Sequence, residues 1–103
     1  MHKENLKIKE DDLDVLQLIH EDPKISQRKI ANKLGLSLGK VNYCIKSLSK
    51  VGFIKLKNFS GSDNKKLYMY LLTPKAILEK TRITKKFIEA KKEEFDKLHS
   101  YLE

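Results

Sequence analysis

Apolar residues recur along this chain at helical spacing, then at strand spacing, then at helical spacing again. Leu13, Val15, Leu16 and Ile19 gather on one side of a first helix, with Asp11 or Asp12 as its expected N-cap and Asp22-Pro23 as its stop. Its acidic first turn suits the positive end of the helix dipole. Ser26 is placed to cap a second, short helix from Gln27 to Leu34, with Ile30, Ala31 and Leu34 as its buried stripe. Lys29 stands where a full capping box would carry Glu or Gln, so this cap is half formed. Gly35 supplies the left-handed conformation that ends the helix, and Ser37 caps the next one. In that third helix, Leu38 to about Val51, the residues Val41, Cys44, Ile45 and Leu48 fall at i, i+3, i+4 and i+7. The opposite face reads Gly39, Asn42, Tyr43, Lys46 and Lys50, and it holds no acid.

After Gly52 the period changes to two. Phe53 to Lys57 reads as a strand in which Ile54 and Leu56 alternate with Lys55 and Lys57. Ser60-Gly61-Ser62-Asp63-Asn64 is a turn-rich tip, and Leu67 to Leu72 is the returning strand. That strand is apolar on both faces, so it is expected to be covered on both sides, by the helical core and by a flanking helix. Thr73-Pro74 places a capping residue before a proline at the first helical position, and a final helix is expected from Lys75 to about Tyr101. Ile88, Phe95 and Leu102 recur at intervals of seven in it, with Leu98 as companion and Phe87 and Tyr101 beside the seam; Lys91 interrupts it. Two readings of this helix stand: a dimerisation seam, which is favoured because one small domain cannot cover all these residues, or a helix folded back on its own domain.

These elements add up to a mainly α fold with a small β-hairpin: a winged helix-turn-helix over residues 1–75, followed by one long C-terminal helix over residues 76–103. Each part of the helix-turn-helix has a mechanical reason. Ala31 is small and lets the second and third helices cross closely. Gly35 relieves the turn, and Ser37 aims the start of the third helix outward. The hairpin that follows is the wing.

Charge then narrows the partner. The chain of 103 residues has a net charge of +8, but residues 23–75 carry twelve Lys/Arg against the single Asp63. Residues 1–22 are acidic by four charges and residues 76–103 basic by only one. A one-sign block over half the chain calls for a polyanion, and nucleic acid and an anionic membrane are the two candidates. No signal-peptide apolar region follows Met1, and the longest apolar run, Leu67 to Leu72, is far too short to span a bilayer. With Cys44 the only cysteine, no intrachain disulfide forms, and a cytoplasmic setting is expected.

Several strings resemble a known family. Ala31-x-x-Leu34-Gly-Leu-Ser37, Lys40-Val41 and Leu48-x-x-Val-Gly52-Phe-Ile are similar to the winged helices of MarR-type regulators. Ser37-Leu-Gly-Lys-Val-Asn-Tyr43, Lys57-Asn-Phe59, Asn64-Lys65 and Tyr68-x-Tyr-Leu-Leu-Thr-Pro74 resemble the short branch of that family associated with exopolysaccharide gene clusters. The resemblance spans residues 11 to about 80 and implies a dimeric regulator of bacterial genes that binds DNA. The chain differs from the broader family in having one C-terminal helix and in offering Lys65 and Lys66 where an Arg usually enters the minor groove. A small-molecule effector is therefore unsupported.

The expected function is sequence-specific binding of double-stranded DNA as a homodimer on a pseudo-palindromic site. The alternatives are a winged-helix docking module for proteins and a non-specific nucleic-acid binder. Gln27 and Arg28 at the second helix start are expected on the phosphate backbone. Ser37, Leu38, Gly39, Lys40, Asn42, Tyr43, Lys46 and Lys50 are expected in or beside the groove, where Asn42 suits an adenine edge and Lys46 a guanine or phosphate. Lys65 and Lys66 form the wing contact, and Phe87, Ile88, Phe95, Leu98, Tyr101 and Leu102 the dimer seam. Each of these polar residues also has a plain reading as solvated surface. Cys44 lies on the buried face and reads as packing. His2, His20 and His99 are scattered without partners at ligand spacing, so no metal or cofactor is expected. No phosphate-binding loop or nucleophile elbow occurs, and the Asp11-Asp12-Leu-Asp14 cluster is explained by the helix start, so no enzymatic activity is expected.

Overall fold

Proline and glycine mark several boundaries of the fold, among them the ends of the second and third helices and the start of the last one. In a computed structural model, which describes residues 8–60 and 66–103, the order is α1 (Glu10–Glu21), α2 (Gln27–Leu34), α3 (Leu38–Lys50), β1 (Ile54–Ser60), β2 (Lys66–Leu72) and α4 (Pro74–Ser100). Gly35 ends α2 at φ +67° and Gly52 follows α3 at φ +79°, both in the left-handed region that disfavours a side chain. The N–H of Gly35 and that of Leu36 both return to the Ala31 carbonyl, which closes the last turn of α2.

The first helix starts two to three residues earlier than the acidic residues suggest. Lys9, not Asp11 or Asp12, is the extended N-cap residue, and Asp12 is the third residue of the helix. Its carboxylate reaches back to accept the Lys9 N–H at 3.0 Å. An acid at this position satisfies a free donor of the first turn as well as a cap would, which is why composition alone misplaces the start.

α1, α2 and α3 pack around one core, with α1 also touching β2 and α4. Val15, Leu16, Ile19, Ile30, Val41, Cys44, Leu48 and Phe53 are buried in it. The inward face of α3 is thus the predicted set, and Leu13 and Leu34 are half-buried at its edge. Phe53 precedes the hairpin rather than opening its first strand, because its N–H still bonds the Leu48 carbonyl at 2.9 Å.

β1 and β2 pair antiparallel from Ile54 opposite Leu72 to Ser60 opposite Lys66. The expectation that the second strand is covered on both sides is corrected here. Leu71 lies opposite Lys55 and is exposed on the face turned away from the helices. Lys55, Lys57 and Leu71 are exposed on this outer face, and among the described residues nothing covers them.

One residue joins the hairpin to the last helix. Thr73 donates its N–H to the Phe53 carbonyl at 3.0 Å and its hydroxyl to the Gly52 carbonyl at 2.6 Å. The same oxygen accepts the Ala76 N–H at 3.2 Å and so caps α4, with Pro74 at the first helical position. Ala76 and Ile83 are buried and Phe87 rests on the core, but from Ile88 to Glu103 every residue is exposed. The 27-residue helix is about 40 Å long, and the molecule measures 63 Å along its greatest extent.

Because Leu48 is fully buried where α3 meets the rest of the core, Leu48→Ala is expected to lower stability by about 2–5 kcal/mol. Chemical denaturation followed by circular dichroism measures it. A loss below 1 kcal/mol would mean that the site collapses around the missing atoms.

Candidate nucleic-acid interface

Two sharply capped helix starts define the surface. Ser26 Oγ accepts the Lys29 N–H at 3.1 Å, and Ser37 Oγ accepts the Lys40 N–H at 3.0 Å. Each cap residue is extended, so the chain turns directly into helix. Ser37 is therefore occupied in shaping the start of α3. Leu38, Gly39, Tyr43, Lys46 and Lys50 are exposed, while Lys40 and Asn42 are half-buried. A Cβ added at Gly39 would meet nothing within 4 Å, so the helix surface is open there. Lys40 Nζ lies 5.5 Å from the Tyr43 ring centroid, within cation–π reach, and steadies a ring that is otherwise 61% exposed.

Asn42 is not a free side chain. Its Nδ2 donates to Gln27 Oε1 at 3.3 Å, and Gln27 Nε2 donates to Tyr70 Oη at 3.0 Å. Three elements, α3, α2 and β2, meet through these bonds. Tyr70 is in turn held at its backbone, where its N–H bonds the Pro23 carbonyl at 2.9 Å. Sequence reasoning missed Tyr70. The signal available was its place on the same strand face as Leu72, turned toward the helices, but nothing local tells which polar group it meets.

Arg28 is exposed beside Gln27, and Lys55 and Lys57 are exposed along β1. No acidic residue lies between Asp22 and Asp63, so the α2 start, the outer face of α3 and the wing strands share a cationic field. Lys65 lies outside the described residues; Lys66 opens β2, and its side chain is also outside them.

The residues read as a dimer seam divide into two groups. Phe87 packs against its own core. Ile88, Phe95, Leu98, Tyr101 and Leu102 are all more than half exposed, Leu102 at 80%. Phe95 and His99 have ring centroids 5.7 Å apart on one side of the helix. Lys91, which breaks the seam, forms a salt bridge with Glu10 at 3.0 Å, and this bond raises the Lys91 pKa. Glu10 and Asp11, with partial burial as the larger cause, push the Asp14 carboxyl up, against a lowering by Lys91. An open cleft of about 240 Å³ lies nearby between Ile8 and α4, with an apolar floor of Ile83, Phe87 and Ala90 and with Arg82 and Lys86 at its sides. Among the described residues no group of three or more His, Cys, Asp or Glu could hold a metal. No described helix is long and apolar enough to cross a membrane.

Comparison with known proteins agrees with this geometry. A family profile described as winged helix-turn-helix DNA-binding matches residues 11–55. No curated protein matches the chain in sequence. Among solved structures, a MarR protein from Peptoclostridium difficile superposes with a TM-score of 0.68 at 23% identity, over 88% of this chain and 58% of that one. Streptococcus pneumoniae FabT in complex with DNA gives 0.59 at 21% identity, over 86% and 60%. The adhesin competence repressor AdcR of Streptococcus pyogenes gives 0.64 at 18% identity, over 95% and 69%. The chain thus spans less than two thirds of the length of the first two.

Burial and hydrogen bonding to Asp12 push the Cys44 thiol up to about 12, burial being the larger cause. An unfolded thiol ionises near about 8.5. The stability linked to Cys44 is therefore complete below that pH and falls as pH rises toward the folded value. Iodoacetamide at pH 8 is expected to leave the native thiol unmodified and to alkylate it once the chain is unfolded in denaturant; rapid native labelling would show an accessible thiolate. In fold, the chain is a winged helix-turn-helix, matching these MarR-type structures.

Proposed function

We propose that the chain is a bacterial, cytoplasmic transcriptional regulator that binds double-stranded DNA as a homodimer on a pseudo-palindromic site. The observation that carries the reading is the outer face of α3: capped by Ser37, open at Gly39, free of acids, and flanked by a cationic helix start and wing. A helix presented in this way enters the major groove with its N-terminal end foremost. Leu38 and Gly39 then approach the base edges, an apolar side chain meeting a thymine methyl. Asn42 and Lys46 read bases, while Lys40, Tyr43 and Lys50 reach phosphates. Arg28 at the start of α2 holds the backbone, and Lys65 and Lys66 carry the wing to the adjoining groove. FabT, similar in fold, was solved in complex with DNA, which supports DNA as the partner. A docking module for proteins would present a mixed-charge or apolar face on α3.

The homodimer reading rests on α4. Ile88, Phe95, Leu98, Tyr101 and Leu102 are large apolar groups on an arm that its own domain leaves uncovered, and a second copy offers the same seam in return. One reading helix spans only a few base pairs, so two joined modules gain both affinity and selectivity. Their half-sites then lie about 10 base pairs apart, or a multiple of that. The resemblance of residues 37–43 and 57–74 to exopolysaccharide-associated regulators makes such gene clusters the first place to look for the site.

Selection from a random duplex pool tests the function directly, and a symmetric consensus is the expected result. Lys46→Ala should then lose about 1–3 kcal/mol on the selected site and little on random duplex. Lys65→Ala and Lys66→Ala should weaken binding to all sequences and flatten its salt dependence by about one unit each. Failure to enrich any duplex would overturn the reading.

Sedimentation equilibrium tests the assembly. The intact chain is expected to be dimeric at micromolar concentration. Replacing Phe95 and Leu102 together by Glu should leave a folded monomer with most of its specific affinity gone, because two unpaired charges cannot be buried in a helix seam. A monomeric intact chain would sink the dimer.

A further inference from the structure

We propose that Gln27 is a positioning residue for base reading: together with Tyr70 it fixes the amide of Asn42 so that an acceptor and one N–H face the groove, the pattern that suits adenine. The inference rests on the DNA-binding reading above and deepens it, by naming what sets specificity at one position of the site.

The geometry is a directional chain of hydrogen bonds. Asn42 Nδ2 donates to Gln27 Oε1 at 3.3 Å, and Gln27 Nε2 donates to Tyr70 Oη at 3.0 Å. All three side chains are half-buried. An Asn amide has one acceptor oxygen and two N–H donors. Gln27 occupies one donor, which leaves Oδ1 and the second N–H. Adenine presents an N6 donor beside an N7 acceptor in the major groove, the complement of that pair. A reversed Asn42 amide alone would place its oxygen against Gln27 Oε1, two acceptors face to face. Restoring the bonds would require Gln27 to turn over as well and Tyr70 to donate instead of accept. Asn42 would then face the groove with donors only, a pattern suited to the two acceptors of guanine. The sense of the chain therefore selects which base edge Asn42 complements.

The same bonds give Gln27 a different task from that of its neighbour Arg28. Both open α2, but Arg28 is exposed and Gln27 has each end of its amide engaged inside the protein. Tyr70 is itself well anchored: its N–H bonds the Pro23 carbonyl at 2.9 Å, and its strand partner is Leu56. Asn42 is thus held by the base of the wing, from the far side of the helix-turn-helix. A pre-set amide needs no ordering when it meets a base, and ordering a free side chain is a cost of binding.

The test uses the intact chain and the duplex it selects. The position read by Asn42 is the one whose preference vanishes in Asn42→Ala. At that position the affinity ratio between adenine and each other base is measured for four further proteins. Gln27→Met, similar in size but without these hydrogen bonds, should reduce the ratio about tenfold, and Tyr70→Phe about threefold. Gln27→Met should lower binding to random duplex far less than it lowers the ratio. Gln27→Glu, which can still accept from Asn42 and take the Tyr70 proton, should keep the ratio while its charge weakens binding to every duplex. In an Asn42→Ala background, Gln27→Met should have no further effect. Equal losses on selected and random DNA, or losses that add to those of Asn42→Ala, would make Gln27 an independent backbone contact and overturn the proposal. Thermal unfolding of each variant and the side-chain amide resonances of residues 27 and 42 in the free protein separate loss of the relay from loss of the fold. Unshifted resonances in Tyr70→Phe would also overturn it. If the intact chain selects no duplex, the DNA-binding reading fails first and takes this one with it. Selection that is indifferent to Gln27 sinks the relay alone.

Discussion

The burial of one face of α3 organises the rest of the molecule. Val41, Cys44, Ile45 and Leu48 leave water together, against Val15, Leu16, Ile19 and Ile30. Burial of this kind contributes about 1.5–3 kcal/mol for each large side chain. Its direction matters as much as its size. A helix pinned along one edge has its other edge fixed too, and here that edge holds Gly39, Tyr43, Lys46 and Lys50. Core and outer surface are therefore two sides of the same constraint. The buried thiol fits this role: a protonated Cys44 packs as a small apolar group, and the nearby Asp12, which closes the first turn of α1, helps keep it protonated.

Charge is distributed in the opposite sense. Acids gather at the start of α1, where the dipole and Lys91 favour them, and are absent from the long stretch between Asp22 and Asp63. The molecule thus has an acidic shoulder and a cationic face, and Lys46, Lys50, Lys55 and Lys57 on that face have no carboxylate in their own elements. Such a surface repels itself when isolated and is relieved by a polyanion, which links the electrostatics to the proposed function without involving any single contact.

How much of this was legible in the sequence depended on distance along the chain. The bounds of α2, the start of α3 and its buried residues follow from Ser26, Gly35, Ser37 and the 3.6-residue period, all of which act within one or two turns. The Lys9 cap was missed because Asp12 satisfies the same donor from inside the helix. The exposure of Leu71 was missed because an apolar strand looks alike whether it is covered on one face or two. The Asn42–Gln27–Tyr70 bonds join residues up to 43 positions apart. The Lys91–Glu10 bridge turns what reads as a flaw in a heptad into a tie between α4 and α1. Neither could be read before the fold had brought the partners together.

Thr73 has a consequence for mechanics. Its backbone and hydroxyl bind the base of the hairpin while its oxygen caps α4, so no hinge separates the wing from the arm. Hairpin and arm then behave as the short and long limbs of one lever with its pivot at Thr73, steadied farther along by Ile83, Phe87 and the Lys91–Glu10 bridge. With an arm of about 40 Å, a tilt of about 5° at the pivot sweeps its far end through about 3.5 Å. Conversely, a contact that holds the arm tips to within about an ångström fixes the angle of the wing to within about 1.5°. Small displacements far from the α3 surface are in this way geared down into fine adjustments of its orientation.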